Sequence, residues 1–344
     1  MKKAVLLSGL FLTLLPLFRL DKRPRSYPAH FPEPLYRTGS GRQDSLQREL
    51  GRALFYDPLL SADNSISCAS CHSPYNAFAH TDHDLSHGIA DRIGKRNAPA
   101  LFNLGWQPFY MWDGAVDHLD MQALAPITHP DEMGSGIGEV LEKLRSSDLY
   151  PFFFKEVYGD TLISSERFLK ALARFQLSLI SADARYDRVK QGKAVFSEQE
   201  QRGYTLFLQH CNSCHREPLF STYGLAANGL PPDSTLRDYG RYTLSGLPQD
   251  SLRFKIPSLR NLAYTYPYMH DGRFTKLWQV LNHYSGIKAG SVLSAGLSGP
   301  LPLQADDKAD LLAFLFTLND STFVFDIRNQ YPKNIFARDE GKGR

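Results

Sequence analysis

Along most of this chain apolar residues recur at spacings of three and four rather than alternating, which predicts helices. Between Gln43 and Tyr56, Leu46, Leu50, Ala53 and Leu54 share one face, and Asp57-Pro58 ends the run. Gly203 to Phe207 repeats this approach later in the chain. Two further amphipathic helices are expected: Ser165–Ser181, with Phe168, Leu172, Phe175 and Leu179 on one side, and Ala305–Leu318, with Leu311, Leu312, Leu315 and Leu318. Period-two alternation is scarce, so the expected fold class is mainly α. The N-terminus differs: Met1-Lys2-Lys3 precedes the apolar run Ala4–Leu20, the basic head and apolar core of a secretory signal. That run falls short of the roughly 20 residues that span a bilayer comfortably, but no small-residue cleavage site follows it, so residues 1–22 read as a signal peptide or an uncleaved anchor. Either reading exports the globular part, to the periplasm in a bacterium. Residues 23–42, Pro-rich over Arg23–Pro34, read as an extended linker.

The helical pattern is doubled. Pro99-Ala-Leu-Phe-Asn103-Leu104 followed by Tyr110-Met111-Trp112-Asp113-Gly114 aligns without a gap on Pro257-Ser-Leu-Arg-Asn261-Leu262 followed by Tyr268-Met269-His270-Asp271-Gly272. Two units follow, 43–190 and 191–344, with their boundary near Lys190–Ser197 and a tail after Asp320. A length of 344 residues with 42% hydrophobic positions suffices for two cores. The net charge of +3 gives no reason to expect a nucleic-acid partner.

Each unit carries one Cys-x-x-Cys-His: Cys68-Ala69-Ser70-Cys71-His72 and Cys211-Asn212-Ser213-Cys214-His215, which use all four cysteines. Two thiols at this spacing can form thioethers to the vinyl groups of a haem, and the adjoining imidazole then reaches the iron. Structural zinc also uses paired cysteines, but its pairs usually lie about 15–20 residues apart. With 11 histidines in 344 residues, one following both pairs by accident is roughly a one-in-a-thousand coincidence. Two covalently bound haem c groups are therefore expected.

Extending the gapless alignment pairs Leu119 with Leu277, Gln122 with Val280 and Pro126 with Tyr284. Tyr284 can offer a phenolate as sixth ligand to the second iron, with His283 and Met269 as rivals, whereas Pro126 has no donor atom. The second iron is expected to be capped and the first left open. A peroxide at an open iron must lose a proton from one oxygen and regain it on the other, work suited to a nearby carboxylate. Glu132 is the candidate, with Gln122 orienting the peroxide; by composition alone, a solvated surface charge and an exposed helix face are the better readings of the two.

From about Leu46 to Leu318 the chain resembles the bacterial di-haem cytochrome c peroxidases and their relatives of the MauG type. The resemblance rests on both Cys-x-x-Cys-His sites, Arg96-Asn97-Ala98-Pro99, Trp112-Asp113-Gly114, Gln122-Ala123, Pro126-Ile127, Pro130-Asp131-Glu132-Met133 and Pro267-Tyr268-Met269-His270-Asp271-Gly272. It implies two cytochrome c-like domains, the first with the peroxidatic haem on His72 and the second with the electron-transfer haem on His215. It further implies Gln122 and Glu132 as the distal pair, Trp112 as the aromatic between the haems, and Asn97, Thr265 and Pro267 as a calcium site. Typical peroxidases of the family carry methionine at the position of Tyr284, and MauG carries tyrosine. A loop histidine caps the resting peroxidatic haem in typical members; among His80, His83 and His87, His87 matches it best.

The expected activity is reduction of hydrogen peroxide to water. Two electrons leave the protein, one from the open iron and one through Trp112 from the second haem. A small redox protein such as a monohaem cytochrome c replaces them at the second haem. Tyr284 supports an alternative, a MauG-like enzyme whose high-valent iron oxidises a partner protein. A non-catalytic di-haem electron carrier is a third reading, of another class.

Overall fold

A computed structural model describes residues 27–37 and 39–340; the expected signal or anchor, Met1–Leu20, lies outside the described residues. The chain is mostly helical, and strand pairing among the described residues is limited to Leu225–Ala226 against Phe254–Lys255 and a few isolated bridges. No helix among the described residues is long and apolar enough to cross a membrane.

Each unit is built on one helix crossing. In the first, α1 (Arg42–Tyr56) packs on α2 (Ser165–Leu177); in the second, α3 (Glu198–His210) packs on α5 (Ala305–Phe316), beside which lies α4 (Leu277–Ser285). Both crossings depend on a residue without a side chain. A Cβ on Gly51 would stand 1.9 Å from the Ala171 carbonyl oxygen, and one on Gly203 would stand 1.9 Å from that of Asp310. Backbones therefore approach more closely than any other residue would allow. Around the first crossing Leu50, Leu54, Phe55, Phe168, Leu172 and Phe175 are buried; around the second, the tilted rings of Phe207, Phe220 and Phe314 cluster with Leu311. The expected helices over 43–56, 165–181 and 305–318 are present, the latter two ending at Leu177 and Phe316. Leu179 and Leu318, just beyond those ends, remain fully buried.

The repeated motifs fold alike. Asn103 and Asn261 are left-handed, with φ of 54° and 63°, as are Met111 and Met269 at 66° and 75°. Tyr110 bridges to Val116 as Tyr268 does to Phe274. The two asparagines meet at the junction. Asn103 receives the Ser181 N–H on Oδ1 and donates Nδ2–H to the Ser181 carbonyl, while Asn261 donates Nδ2–H to the Ser181 hydroxyl, which in turn donates to Asp320.

Both chain ends cross to the other unit. Phe323, Val324 and Ile335, in the tail after Asp320, belong to the core of the first unit. Residues 27–37, within the expected linker, wedge between the units: Phe31 packs with Trp106, Leu219 and Tyr223, and Trp106 Nε1 donates to the Pro32 carbonyl at 2.7 Å. The Phe31 ring also lies 4.9 Å from the guanidinium of Arg260, which is wholly buried and paired with Asp187 at 2.7 Å. His30 Nε2 reaches the same Asp187 at 3.0 Å.

The glycine crossing sets a direct test. Replacing a helix glycine by alanine gains about 1 kcal/mol of propensity, but overpacking against backbone costs about 1–3 kcal/mol. Gly203→Ala should therefore lower the unfolding temperature of the purified protein. A rise, as an open helix position would give, contradicts the crossing.

Candidate haem centres and the joint between them

The helix α3 delivers Cys211 at its C-cap, while the first pair occupies its own short turn, Cys68–Cys71, whose end is His72. All four cysteines are free and half-buried. Among the described residues no group of three or more His, Cys, Asp or Glu is placed to hold a metal ion, so the two pairs do not combine into a zinc site. The histidines are prepared alike. His72 Nδ1 lies 2.9 Å from the Phe78 carbonyl oxygen, and His215 Nδ1 lies 3.1 Å from that of Pro257 and 3.3 Å from that of Phe220. Nδ1 thus serves as the donor, which fixes the tautomer and leaves the Nε2 lone pair available to a metal. Burial pushes both imidazoles down to about 4, so both are neutral at neutral pH. Paired thiols beside an oriented imidazole suit a covalent haem in each unit.

Around His215 opens a cleft of about 2000 Å³, counting its part open to solvent, walled by Leu277, Val280, Leu281, Leu311 and Leu315. Its largely apolar wall suits the face of a porphyrin. Tyr284 and Met269 line it too. Burial pushes the Tyr284 phenol up to about 12, against a side-chain hydrogen bond with Asn228 that draws it down. The third rival, His283, is engaged elsewhere: its Nε2 lies 3.0 Å from the Asn228 carbonyl oxygen.

In the first unit the equivalent helix is broken into Leu119–Gln122 and Leu124–Thr128, which carries Pro126. The following turn folds back, with Met133 N donating to the Pro126 carbonyl at 3.2 Å, and brings Glu132 beside the first Cys pair. Burial raises the Glu132 carboxyl above the usual carboxylate range, opposed by His129. The His loop closes over the same place: the His87 carbonyl oxygen is 3.4 Å from Cys71 Sγ, and Ile89 N donates to the Glu132 carbonyl at 2.8 Å. His87 Nδ1 pairs with Asp91 at 2.8 Å, and the rings of His80, His83 and His87 stack in a file, the last two 4.1 Å apart. Gln122 Nε2 sits 3.7 Å from Met111 Sδ.

Trp112 occupies the joint. Its Nε1 donates to the Asn97 carbonyl at 2.8 Å, its own carbonyl receives Lys255 N–H at 2.6 Å, and its side chain lines the cleft of the second unit. Asn97, Thr265 and Pro267 line that cleft as well. Asn97 Nδ2 donates to the Asp84 carbonyl, which leaves Oδ1 as its acceptor pole, and neutral amide and carbonyl oxygens are donors a hard cation accepts.

Sequence reasoning gave no role to four residues here. Lys255 is buried, with Nζ 2.6 Å from Gln107 Oε1, and burial pushes it down to about 8. Arg96 holds Asp113 at 2.6 Å and Asp238 at 2.5 Å, tying the loop of Trp112 to the second unit. Asn228 contacts Met269 Sδ at 3.6 Å. Arg96 stands in a motif that the resemblance had singled out, whereas Lys255, Asp238 and Asn228 lie in segments with no pattern to mark them.

A mostly helical chain with paired thiols and an oriented imidazole at two places is the arrangement that a di-haem protein of the c type calls for. The family model for di-haem cytochrome c peroxidase matches residues 45–195. The methylamine utilization protein MauG of Methylorubrum extorquens is 35% identical over 282 residues, 78% of this chain and 77% of its own. The cytochrome c551 peroxidase of Nitrosomonas europaea is 32% identical over 292 residues, covering 83% and 84%. Among solved structures, a MauG-like protein associated with microbial copper homeostasis superposes with a TM-score of 0.78 at 30% identity, over 89% of this chain and 98% of that one. The chain belongs to the di-haem cytochrome c peroxidase and MauG family. Membership implies two haem c groups and peroxidase-type oxidoreductase chemistry.

The clamp at the joint is testable. Arg96→Met strands two buried carboxylates, Asp113 and Asp238, which should cost on the order of 3 kcal/mol. Denaturant unfolding of the purified protein followed at both haems would show the loss, and an unchanged midpoint would remove Arg96 from the joint.

Proposed function

We propose that this protein reduces hydrogen peroxide at the first centre with electrons that enter at the second. The observation that carries the reading is the asymmetry of equivalent positions: Tyr284 lines the second cleft, while Pro126 at the first offers no donor atom. When bound, the haems supply the redox-active iron that cleaves the O–O bond and stores the oxidising equivalents. The chain supplies the rest. Glu132, half-buried beside Cys71, takes the proton from the oxygen that binds and returns it to the oxygen that leaves as water. The Gln122 amide orients the peroxide. Trp112, hydrogen-bonded into both units, carries electrons across the joint. A small electron-donor protein such as a monohaem cytochrome c delivers two electrons singly, and solvent provides the two protons that complete the second water.

Around this core we assign Cys68, Cys71 and His72 to the first haem and Cys211, Cys214 and His215 to the second. Tyr284 is the sixth ligand of the second haem, and His87 is the residue able to cap the first at rest. Asn97, Thr265 and Pro267 hold calcium. Residues 1–22 direct export to the periplasm, with or without retention as a membrane anchor. Tyr284 favours a second reading, oxidation of a partner protein, since a phenolate stabilises oxidised iron better than a thioether does. Steady-state turnover of peroxide with a reduced monohaem cytochrome separates the two: rapid turnover supports the first reading and its absence the second. A carrier that catalyses nothing would leave its ferrous bands unbleached by peroxide.

Glu132→Gln should lower peroxide turnover by about 10²–10⁴. Because burial raises the Glu132 carboxyl, its base form is lost on acidification at a higher pH than an exposed carboxylate would show. The wild-type rate should therefore fall on the acid side along a limb that Glu132→Gln abolishes. Unchanged turnover would remove Glu132 from the mechanism. Tyr284→Phe should turn the second haem high-spin in the electron paramagnetic resonance spectrum. An unaltered spectrum would take the ligand role from Tyr284.

A further inference from the structure

The duplication extends across the joint between the units. The gapless alignment pairs Asn97 with Lys255, Gln107 with Thr265 and Trp112 with His270. Backbone contacts between the units obey the same pairing: Asn97 N–H donates to the His270 carbonyl at 2.8 Å, and Lys255 N–H donates to the Trp112 carbonyl at 2.6 Å. Together with Asn103 and Asn261 converging on Ser181, these exchanged bonds describe a local two-fold relation. Under it the pair Asn97 and Thr265, one residue from each unit, is related to the pair Lys255 and Gln107. The second pair is in direct contact, with Lys255 Nζ 2.6 Å from Gln107 Oε1.

Lys255 is unusual where it stands. Its side chain lines the cleft around His215 beside Trp112, and the residue is buried. An ammonium carries three donors, yet among the described residues its acceptor is the neutral Gln107 amide oxygen and no carboxylate pairs with it. A buried charge without a counter-ion is costly to keep. Even so, burial lowers the ammonium only to about 8, which leaves it protonated at neutral pH. Asn97, at the related position, ends instead in a neutral oxygen of the kind a hard cation takes. One position thus recruits positive charge from solution, and its two-fold mate brings its own. We propose that the Lys255 ammonium is the second unit's built-in cation, standing at the place related to the calcium site of Asn97, and that its fixed charge raises the midpoint potential of the second haem. A positive charge near a metal centre favours the state with one electron more, and a low-dielectric setting strengthens the effect.

The comparison with calcium rests on the assignment of that ion to Asn97, Thr265 and Pro267, whereas the effect on potential does not, so the two are measured separately. Both measurements use the full-length di-haem protein equilibrated with calcium chloride. Lys255→Met removes the charge and offers no oxygen to a metal; a thioether in place of an unpaired buried ammonium should leave the fold intact. Its bound calcium, counted by atomic emission after equilibrium dialysis, should equal that of the wild type. Its second-haem midpoint potential, from a spectroelectrochemical titration, should be lower. Lys255→Asn restores the residue of the paired position. It should bind one calcium more than the wild type and recover the potential lost in Lys255→Met, a rescue that a packing role would not give. Wild-type protein without calcium overturns the assignment to Asn97 and the equivalence drawn from it. Calcium in the wild type with an unchanged second-haem potential in Lys255→Met overturns the proposal alone. So does a calcium count in Lys255→Asn equal to the wild type's, since the two positions would then not be equivalent.

Discussion

One buried serine ties the two units together. Ser181 ends the segment that leaves α2, and its N–H, carbonyl and hydroxyl are each bonded by an asparagine of the repeated motif or by Asp320. Ser181, Asn103 and Asn261 are buried almost completely, so none of these groups can turn to water if a partner is lost. A satisfied buried polar network rigidifies because every alternative arrangement leaves an unpaired group. Each asparagine belongs to the loop that follows its unit's prolines and leads on to Met111 or Met269. The knot at Ser181 thereby helps set the relative placement of the two repeated loops, and of Trp112, which one of them carries.

What the chain disclosed in advance follows from how local each feature is. The helices over Arg42–Tyr56 and Ala305–Phe316 and both Cys-x-x-Cys-His turns depend on residues a few positions apart, and all were legible. So was the duplication, because an insertion-free repeat keeps its register from Pro99 to Gly114 and from Pro257 to Gly272. The helices Ile137–Ser146 and Tyr150–Tyr158 were not foreseen; the run Phe152-Phe153-Phe154 carries no period that separates helix from strand. Long-range pairs were invisible for a related reason. Arg96 and Asp238 are 142 residues apart, and Lys255, in the polar stretch Arg253-Phe254-Lys255, has the composition of a solvated segment. Its burial is a property of the assembled joint.

Duplication also explains how one scaffold supports two chemistries. The imidazole, the thiols and the backbone carbonyls that orient the imidazole recur in both units, because they serve the attachment of the same group. The divergence is confined to the segment facing the opposite side. There one unit keeps an intact helix, Leu277–Ser285, and the other breaks at Ala123 and follows with Pro126. The break is followed by the turn that carries Glu132, so the missing donor at Pro126 and the carboxylate beside Cys71 come from one local change in helix continuity.

The crossing of the two chain ends has a mechanical consequence. With the stretch around Phe31 dovetailed against Arg260 and Tyr223 of the second unit, and Phe323 and Ile335 keyed into the first, neither half can swing away without extracting the other's end. The molecule is interlocked rather than hinged. The spacing of the two Cys-x-x-Cys-His sites is therefore set by the covalent threading, and any adjustment near them falls to the small loops around them.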